Sequence, residues 1–228
     1  NPKKRVVAQV APAVRVAIGE AFGMKPGEDS IGRVFTAMGM MGFDDVFDTC
    51  LGADLTIMEE AQELAEKLER DAAAEAAAGA EGEAQETASG KKISFPLFTS
   101  CCPAWIRYAE NLHPEVLPYI STCKSPMEMF GAVIKEYYKK QDQEEDRQTV
   151  SVAVMPCVAK KMEAGREEFI RDGFPDVDYV ITTKELIRMI RESGIAFDEI
   201  DPVAPDMPFS ISSGAGVIFG VTGGVTEA

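Results

Sequence analysis

The sequence predicts an α/β fold of parallel strands flanked by helices, and three observations carry that prediction. Apolar, β-branched runs recur at 6–10 (VVAQV), 150–155 (VSVAVM) and 177–182 (VDYVIT). Each run leads into a segment with helical character. The runs are nearly continuous rather than alternating, which is the pattern of strands covered on both faces.

Taken in order, the strand at 6–10 is followed by a helix over 12–22 that opens on Pro12, a residue suited to a first helical turn. The segment DLTIMEEAQELAEKLER (54–70) places Leu55, Met58, Ala61, Leu64, Ala65 and Leu68 at helical spacing, so that face is expected to be core. Glu59, Glu60 and Glu63 then read as a solvated face, with Glu63 paired to Lys67 four residues on. The stretch DAAAEAAAGAEGEAQETASG that follows has no large apolar residue to bury. It cannot offset its ordering entropy by packing, so 71–92 reads as a low-complexity surface insertion whose Ala-rich start extends the helix before it.

FPLFTS (95–100) reads as a strand feeding a helix after Pro103, and VSVAVM enters a helix at PCVAKKMEA. VDYVIT runs into TKELIRMIRES, where Thr182 and Glu185 have the spacing of a capping box. The tail SSGAGVIFGVTGGVTEA carries Gly214, Gly216, Gly220, Gly223 and Gly224 without a Gly-Lys-Ser/Thr or a G-x-G-x-x-G. A phosphate loop is therefore disfavoured. Close approach of the backbone to another element or to a buried ligand is expected instead.

Composition narrows the function. A net charge of -15 on 228 residues lacks the basic footprint that nucleic-acid binding starts from. No apolar run approaches the roughly 20 residues that cross a bilayer. The basic start NPKKR leads into an apolar run broken by Gln9 and Pro12, so no signal peptide is read and a cytoplasmic protein is expected. The chain begins without Met, as a piece of something longer would.

Five cysteines are present: Cys50, Cys101, Cys102, Cys123 and Cys157. An odd number without a secretion signal argues against a disulfide framework. The single histidine, His113, stands before Pro114 in a polar stretch, which disfavours a Cys-His hydrolase. No C-x-x-C is present to suggest structural zinc. Cys101, Cys102 and Cys157 share a setting, each within two residues of a proline where an apolar run turns into a helix. Unpaired amides and the positive dipole end there are expected to lower a thiol pKa and to suit thiolates bound for a soft metal. Adjacent side chains at such a turn point in different directions. One of Cys101 and Cys102 can therefore ligate while its neighbour faces a cavity as a free acid; two ordinary buried cysteines are the alternative.

TSCCPAW, MPCVAKKMEA, ADLTIMEE and SGAGVIFGVTGG together resemble the catalytic domain of the [FeFe]-hydrogenases, over nearly the whole chain except the Ala/Glu insertion. The first two match two of that family's three signature motifs. The resemblance implies two lobes of parallel sheet flanked by helices, with the metal site between them. It also implies a [4Fe-4S] cluster joined through a cysteine sulfur to a di-iron subcluster carrying CO, cyanide and a dithiolate, the H-cluster, where hydrogen is formed and oxidised. On this resemblance Cys102 and Cys157 are cluster ligands and Cys101 is the proton donor beside the dithiolate. Glu60, Ser121 and Glu63 continue the proton path. Lys160 hydrogen-bonds a cyanide, Glu163 orients Lys160, and Pro12, Ala13, Pro126 and Met155 line the pocket. The implied partners are ferredoxin or another electron-transfer subunit and the maturation proteins that insert the di-iron unit.

The sequence departs from the family in several places. A cubane takes four thiolates, and the family's other two come from a third motif downstream of Ala228. The chain therefore reads as one domain over 1–228, incomplete at its C-terminus, whose two further cysteines come from a missing segment or a separate chain. Cys50 and Cys123 are not replacements for them. Ala104 stands where glycine is frequent, and Met127 and Glu128 stand where glutamines are common. Two rivals remain open: a hydrogenase-like iron-sulfur protein of cluster assembly without the di-iron unit, and an inactive structural subunit.

Overall fold

The computed structural model describes residues 2–81 and 96–220. The elements run in the order β1 (Lys4–Val10), α1 (Val14–Ala17), α2 (Ile31–Met40), β2 (Asp45–Asp48), α3 (Cys50–Glu81), α4 (Pro103–Leu112), α5 (Pro126–Glu145), β3 (Gln148–Met155), α6 (Ala159–Ala164), β4 (Ile170–Arg171), β5 (Phe174–Pro175), β6 (Tyr179–Thr182) and α7 (Thr183–Glu192). Four strands form one sheet in the order β2-β1-β3-β6, with every pairing parallel. β4 and β5 make a separate antiparallel pair. The α/β class with a parallel sheet flanked by helices is thus the observed architecture.

Alternate residues of β1 face two cores, which is why its sequence is apolar throughout. Ala8 and Val10 pack with Val34 and Met38 of α2 and with Leu186 and Ile190 of α7. Val7 packs on the other face with Phe47, and with Phe130 and Ile134 of α5. Thr182 caps α7 with both bonds of the expected box: its hydroxyl accepts from the Glu185 N–H, and the Glu185 carboxylate accepts from the Thr182 N–H at 2.7 Å.

Three sequence expectations need correction. The helix over 12–22 is divided into α1 and a 3-10 turn, Gly19–Phe22. The β-branched Val14, Val16 and Ile18 lead directly into Gly19, and both features weaken an α-helix. The strand at 95–100 is reduced to one parallel bridge, Phe98 with Ile120; its remaining residue, Phe95, lies outside the described residues. Pro96 has no N–H to offer a ladder, so pairing is confined to Phe98.

The third correction concerns α3, whose apolar stripe is not core. Met58 is 68% exposed and Leu68 51%, with Ala61, Leu64 and Ala65 also exposed and Leu55 half-buried. The buried face carries Gly52, Ala53, Thr56 and Glu60 instead. At Gly52 the helix backbone lies against α5: an added Cβ would stand 2.9 Å from Phe130 Cβ and closer still to the Pro126 carbonyl oxygen. That contact, not the apolar stripe, fixes the rotation of α3. The helix runs through the Ala-rich start of the insertion as far as Glu81, while 82–92 lie outside the described residues.

The glycine tail makes the expected close approaches. A Cβ on Gly216 would fall 2.5 Å from the Cys50 carbonyl oxygen, and one on Gly220 would fall 3.2 Å from the Pro12 carbonyl carbon. Gly223 and Gly224 lie outside the described residues.

Candidate functional site

β1 and β3 are neighbours, yet the chain leaves them in opposite directions: β1 is followed across the sheet by β2 on one side, and β3 by β6 on the other. In open parallel sheets, ligands bind at such a switch point, in the crevice outside the carboxyl ends of the strands. Pro12 and Ala13 follow β1 there, while Met155 ends β3 and Cys157 lies in the turn before α6. Pro12 and Met155 are buried and Ala13 is half-buried. Pro126, the buried first residue of α5, reaches the same region through the Gly52 crossing.

Cys102 is the N-cap of α4 and has extended backbone geometry; Pro103 occupies the first helical position, so the proline fixes where the helix begins. Cys102 and Cys157 are both exposed, while Cys101 is half-buried. The two cysteine turns are joined through Lys160 on α6. Its Nζ donates to the Cys101 carbonyl oxygen at 2.9 Å and to Glu163 Oε2 at 2.7 Å. The structure therefore brings the Cys101–Cys102 turn together with Lys160 and Glu163.

The expectation of a lowered thiol pKa fails at Cys101. Burial pushes that thiol up to about 11, against the pull of the Lys160 ammonium and with a further push from the Glu60 carboxylate. Desolvation outweighs the nearby cation. Cys101 consequently holds its proton at neutral pH.

The glutamate cluster on α3 divides by depth. Glu59 is exposed, Glu60 is buried, and Glu63 is half-buried. Burial raises the Glu60 pKa; hydrogen bonding by the Ser100 backbone and the Ser121 hydroxyl lowers it in part, and the Glu63 charge raises it further. Glu60 Oε1 is buried without a hydrogen-bond partner. Ser121 Oγ donates to Glu63 Oε2 at 2.6 Å and accepts from the Cys123 N–H at 3.1 Å. A hydroxyl has one proton and two lone pairs, so with these two bonds made Ser121 keeps one lone pair. Glu63 is also held by the Thr122 N–H at 3.3 Å and by Lys67 at 3.6 Å, the pair the sequence suggested.

Two neighbours of this site escaped the sequence reading. Cys123 Sγ donates to Glu63 Oε2 at 3.8 Å, a contact that only the fold creates. Glu128, marked in the sequence only as a departure, is fully buried in the first turn of α5. Among the described residues, no group of three or more His, Cys, Asp and Glu side chains gathers as a metal site. Cys102 and Cys157 fit a soft metal in type and exposure. A cubane takes four thiolates, and these are two.

The family described as "Iron only hydrogenase large subunit, C-terminal domain" matches residues 4–228. Over 227 residues the chain is 43% identical to "Iron hydrogenase 1" of Clostridium pasteurianum, an alignment covering 100% of this chain and 36% of that protein. It is 31% identical over 209 residues to "Cytosolic Fe-S cluster assembly factor narfl" of Xenopus tropicalis, covering 90% of this chain and 40% of that one. A solved apo [FeFe]-hydrogenase from Chlamydomonas reinhardtii matches with a TM-score of 0.80 at 41% identity, covering 100% of this chain and 52% of the other. The chain thus spans well under half the length of these two curated relatives and about half of that solved chain.

Proposed function

This chain belongs to the iron-only hydrogenase large-subunit family, and from that premise we propose that it forms part of a hydrogenase active site. In this reading it supplies two cluster thiolates, the terminal proton donor and the proton path. When bound, the [4Fe-4S] cluster and its CO- and cyanide-bearing di-iron unit supply the electrons and the open iron position for reversible hydrogen formation. Cys102 and Cys157 would hold the cubane, and the remaining thiolates come from the rest of the polypeptide or from a separate chain.

The observation that supports the reading is the Ser121–Glu63 hydrogen bond beside the buried Glu60 carboxyl, whose charge also acts on the Cys101 thiol. Cys101 Sγ keeps a proton at neutral pH, next to a buried carboxyl whose charged form is disfavoured. Glu60 takes each proton that arrives and passes it on. Ser121 accepts on its free lone pair and releases its own proton to Glu63, 2.6 Å away; Glu63 then gives up a proton to the solvent, so Glu60, Ser121 and Glu63 end the transfer as they began. A carboxyl whose pKa is raised by burial takes up and releases protons more readily near neutral pH. Lys160 places a fixed positive charge beside the crevice, anchored by Glu163, where it stabilises bound anionic ligands. Pro12, Ala13, Pro126 and Met155 give the crevice an apolar wall that excludes water.

Electrons are exchanged with ferredoxin or another electron-transfer subunit, maturation proteins insert the di-iron unit, and the cytoplasm is the proposed compartment. No helix among the described residues is long and apolar enough to cross a membrane. The similarity to a cytosolic cluster-assembly factor supports a second reading, a cluster-binding protein without the di-iron unit. Infrared spectroscopy of the native full-length polypeptide, purified without oxygen, separates the two. Bands of metal-bound CO and cyanide are expected; bound iron without those bands would select the second reading.

A further inference from the structure

Ser125 and Glu128 have the spacing of a capping box, as Thr182 and Glu185 do, but only half of the box forms. Ser125 Oγ accepts from the Glu128 N–H at 3.4 Å, while both carboxyl oxygens of Glu128 are buried with no hydrogen-bond partner. The side chain is 0% exposed. Its carboxyl is directed away from the helix start that would bond it and into the protein interior.

The charges around it come from three elements. Glu163 and Lys160 face it from α6, Asp176 from the residue after β5, and Lys124 from the loop before α5. Asp176 is already matched by Lys124 and by Arg171 at 3.0 Å. Lys160 is already matched by Glu163, in a pair with side-chain exposures of 12% and 5%. Among the described residues, neither lysine is bonded to a carboxyl oxygen of Glu128. Burial, followed by the Glu163 and Asp176 charges, pushes its carboxyl up to about 8.

We propose that Glu128 is a positioning residue, a neutral carboxylic acid kept against the Lys160–Glu163 pair so that the Lys160 ammonium stays directed at the crevice. An ammonium has three N–H donors. One goes to Glu163 and one to the Cys101 carbonyl, which leaves the third for an anionic ligand in the crevice. A neutral Glu128 does not compete for that hydrogen. An ionised Glu128 does compete, and it sets a second carboxylate beside the buried Lys160–Glu163 pair. The site therefore carries an alkaline switch one step behind the residues that meet the ligand. Only the identity of the ligand rests on the hydrogenase reading; the protonation of Glu128 does not.

The test uses the full-length native polypeptide with 13C-labelled glutamate. Infrared difference spectra between wild type and Glu128→Gln, recorded against pH, are expected to show a protonated-carboxyl band at neutral pH that is lost with a midpoint near 8 and is absent from the variant. The absence of that band at neutral pH in wild type would overturn the proposal, whether or not a cluster is bound. In the same samples the bands of metal-bound cyanide are expected to shift with that midpoint in wild type. In Glu128→Gln, and in Glu128→Met should the amide fold poorly, they should stay constant. A shift that persists in both variants would remove Glu128 from the role.

Discussion

Replacing Gly52 by alanine tests whether the α3–α5 crossing sets the geometry of the site. In an ordinary helix the change would stabilise by up to about 1 kcal/mol, because glycine is a poor helix former. Here the new methyl would stand 2.9 Å from Phe130 Cβ and 3.2 Å from the Pro126 carbonyl carbon, and nearer to the Pro126 oxygen. Overpacking a rigid contact costs about 1–3 kcal/mol. Because the opposing atoms belong to the backbone at the start of α5, the upper end applies. The net destabilisation is then about 2 kcal/mol, which lowers Tm by roughly 4–8 °C in a domain of this size. Thermal unfolding followed by circular dichroism gives the value directly. Separating the helices also draws Glu63 from Ser121, so under the proposed function hydrogen turnover by the full-length polypeptide should fall further than the loss of folded protein explains. An unchanged or raised Tm would refute the reasoning, since it would mean that the two backbones are not in contact at Gly52.

Cys101→Ser is expected to leave cluster iron nearly intact while removing most turnover, because an alcohol is a far weaker acid than a thiol; normal turnover would sink the relay role. Cys102→Ala should instead lose iron, which metal analysis after anaerobic purification reads, and an unchanged iron content would exclude ligation. Glu128 has a folded pKa of about 8 against 4.5 unfolded, so its contribution to stability is fully present below 4.5 and is lost as pH rises through 8. Denaturant unfolding should accordingly show wild type losing more stability than Glu128→Gln across that window, and parallel curves would contradict this. Thr182→Ala, which removes the complete capping box of α7, should cost about 1 kcal/mol by denaturant titration, with no change in iron content.

The sheet was legible because its strands are buried on both faces. Val6, Val7, Ala8 and Val10 leave little choice but a central strand, and β3 repeats the pattern beside it. The capping box was legible because both of its bonds are made within four residues. What failed depended on contacts between distant parts of the chain. Composition alone makes 95–100 look like a strand, but Pro96 limits it to the single Phe98 bridge. The rule that a helix start lowers a thiol pKa is local, whereas the burial that overrides it at Cys101 comes from the rest of the fold.

The misreading of α3 follows from the same distinction, and it bears on the site. Periodicity ranks helix faces by how apolar they are, which assumes that the most apolar face is the one buried. In α3 the choice was made by Gly52, whose missing side chain lets two backbones meet. The face that follows Gly52 inward carries Thr56, Glu60 and Glu63. Burying carboxyl groups is costly unless they are protonated or hydrogen-bonded. Here Glu60 has its pKa raised and Glu63 is bonded by Ser121 and Thr122. The apolar stripe meanwhile stays at the surface. Within this chain, a helix that packs its acidic face and exposes its leucines gives up hydrophobic stabilisation, and the proton path we propose is the use that the packed face would serve.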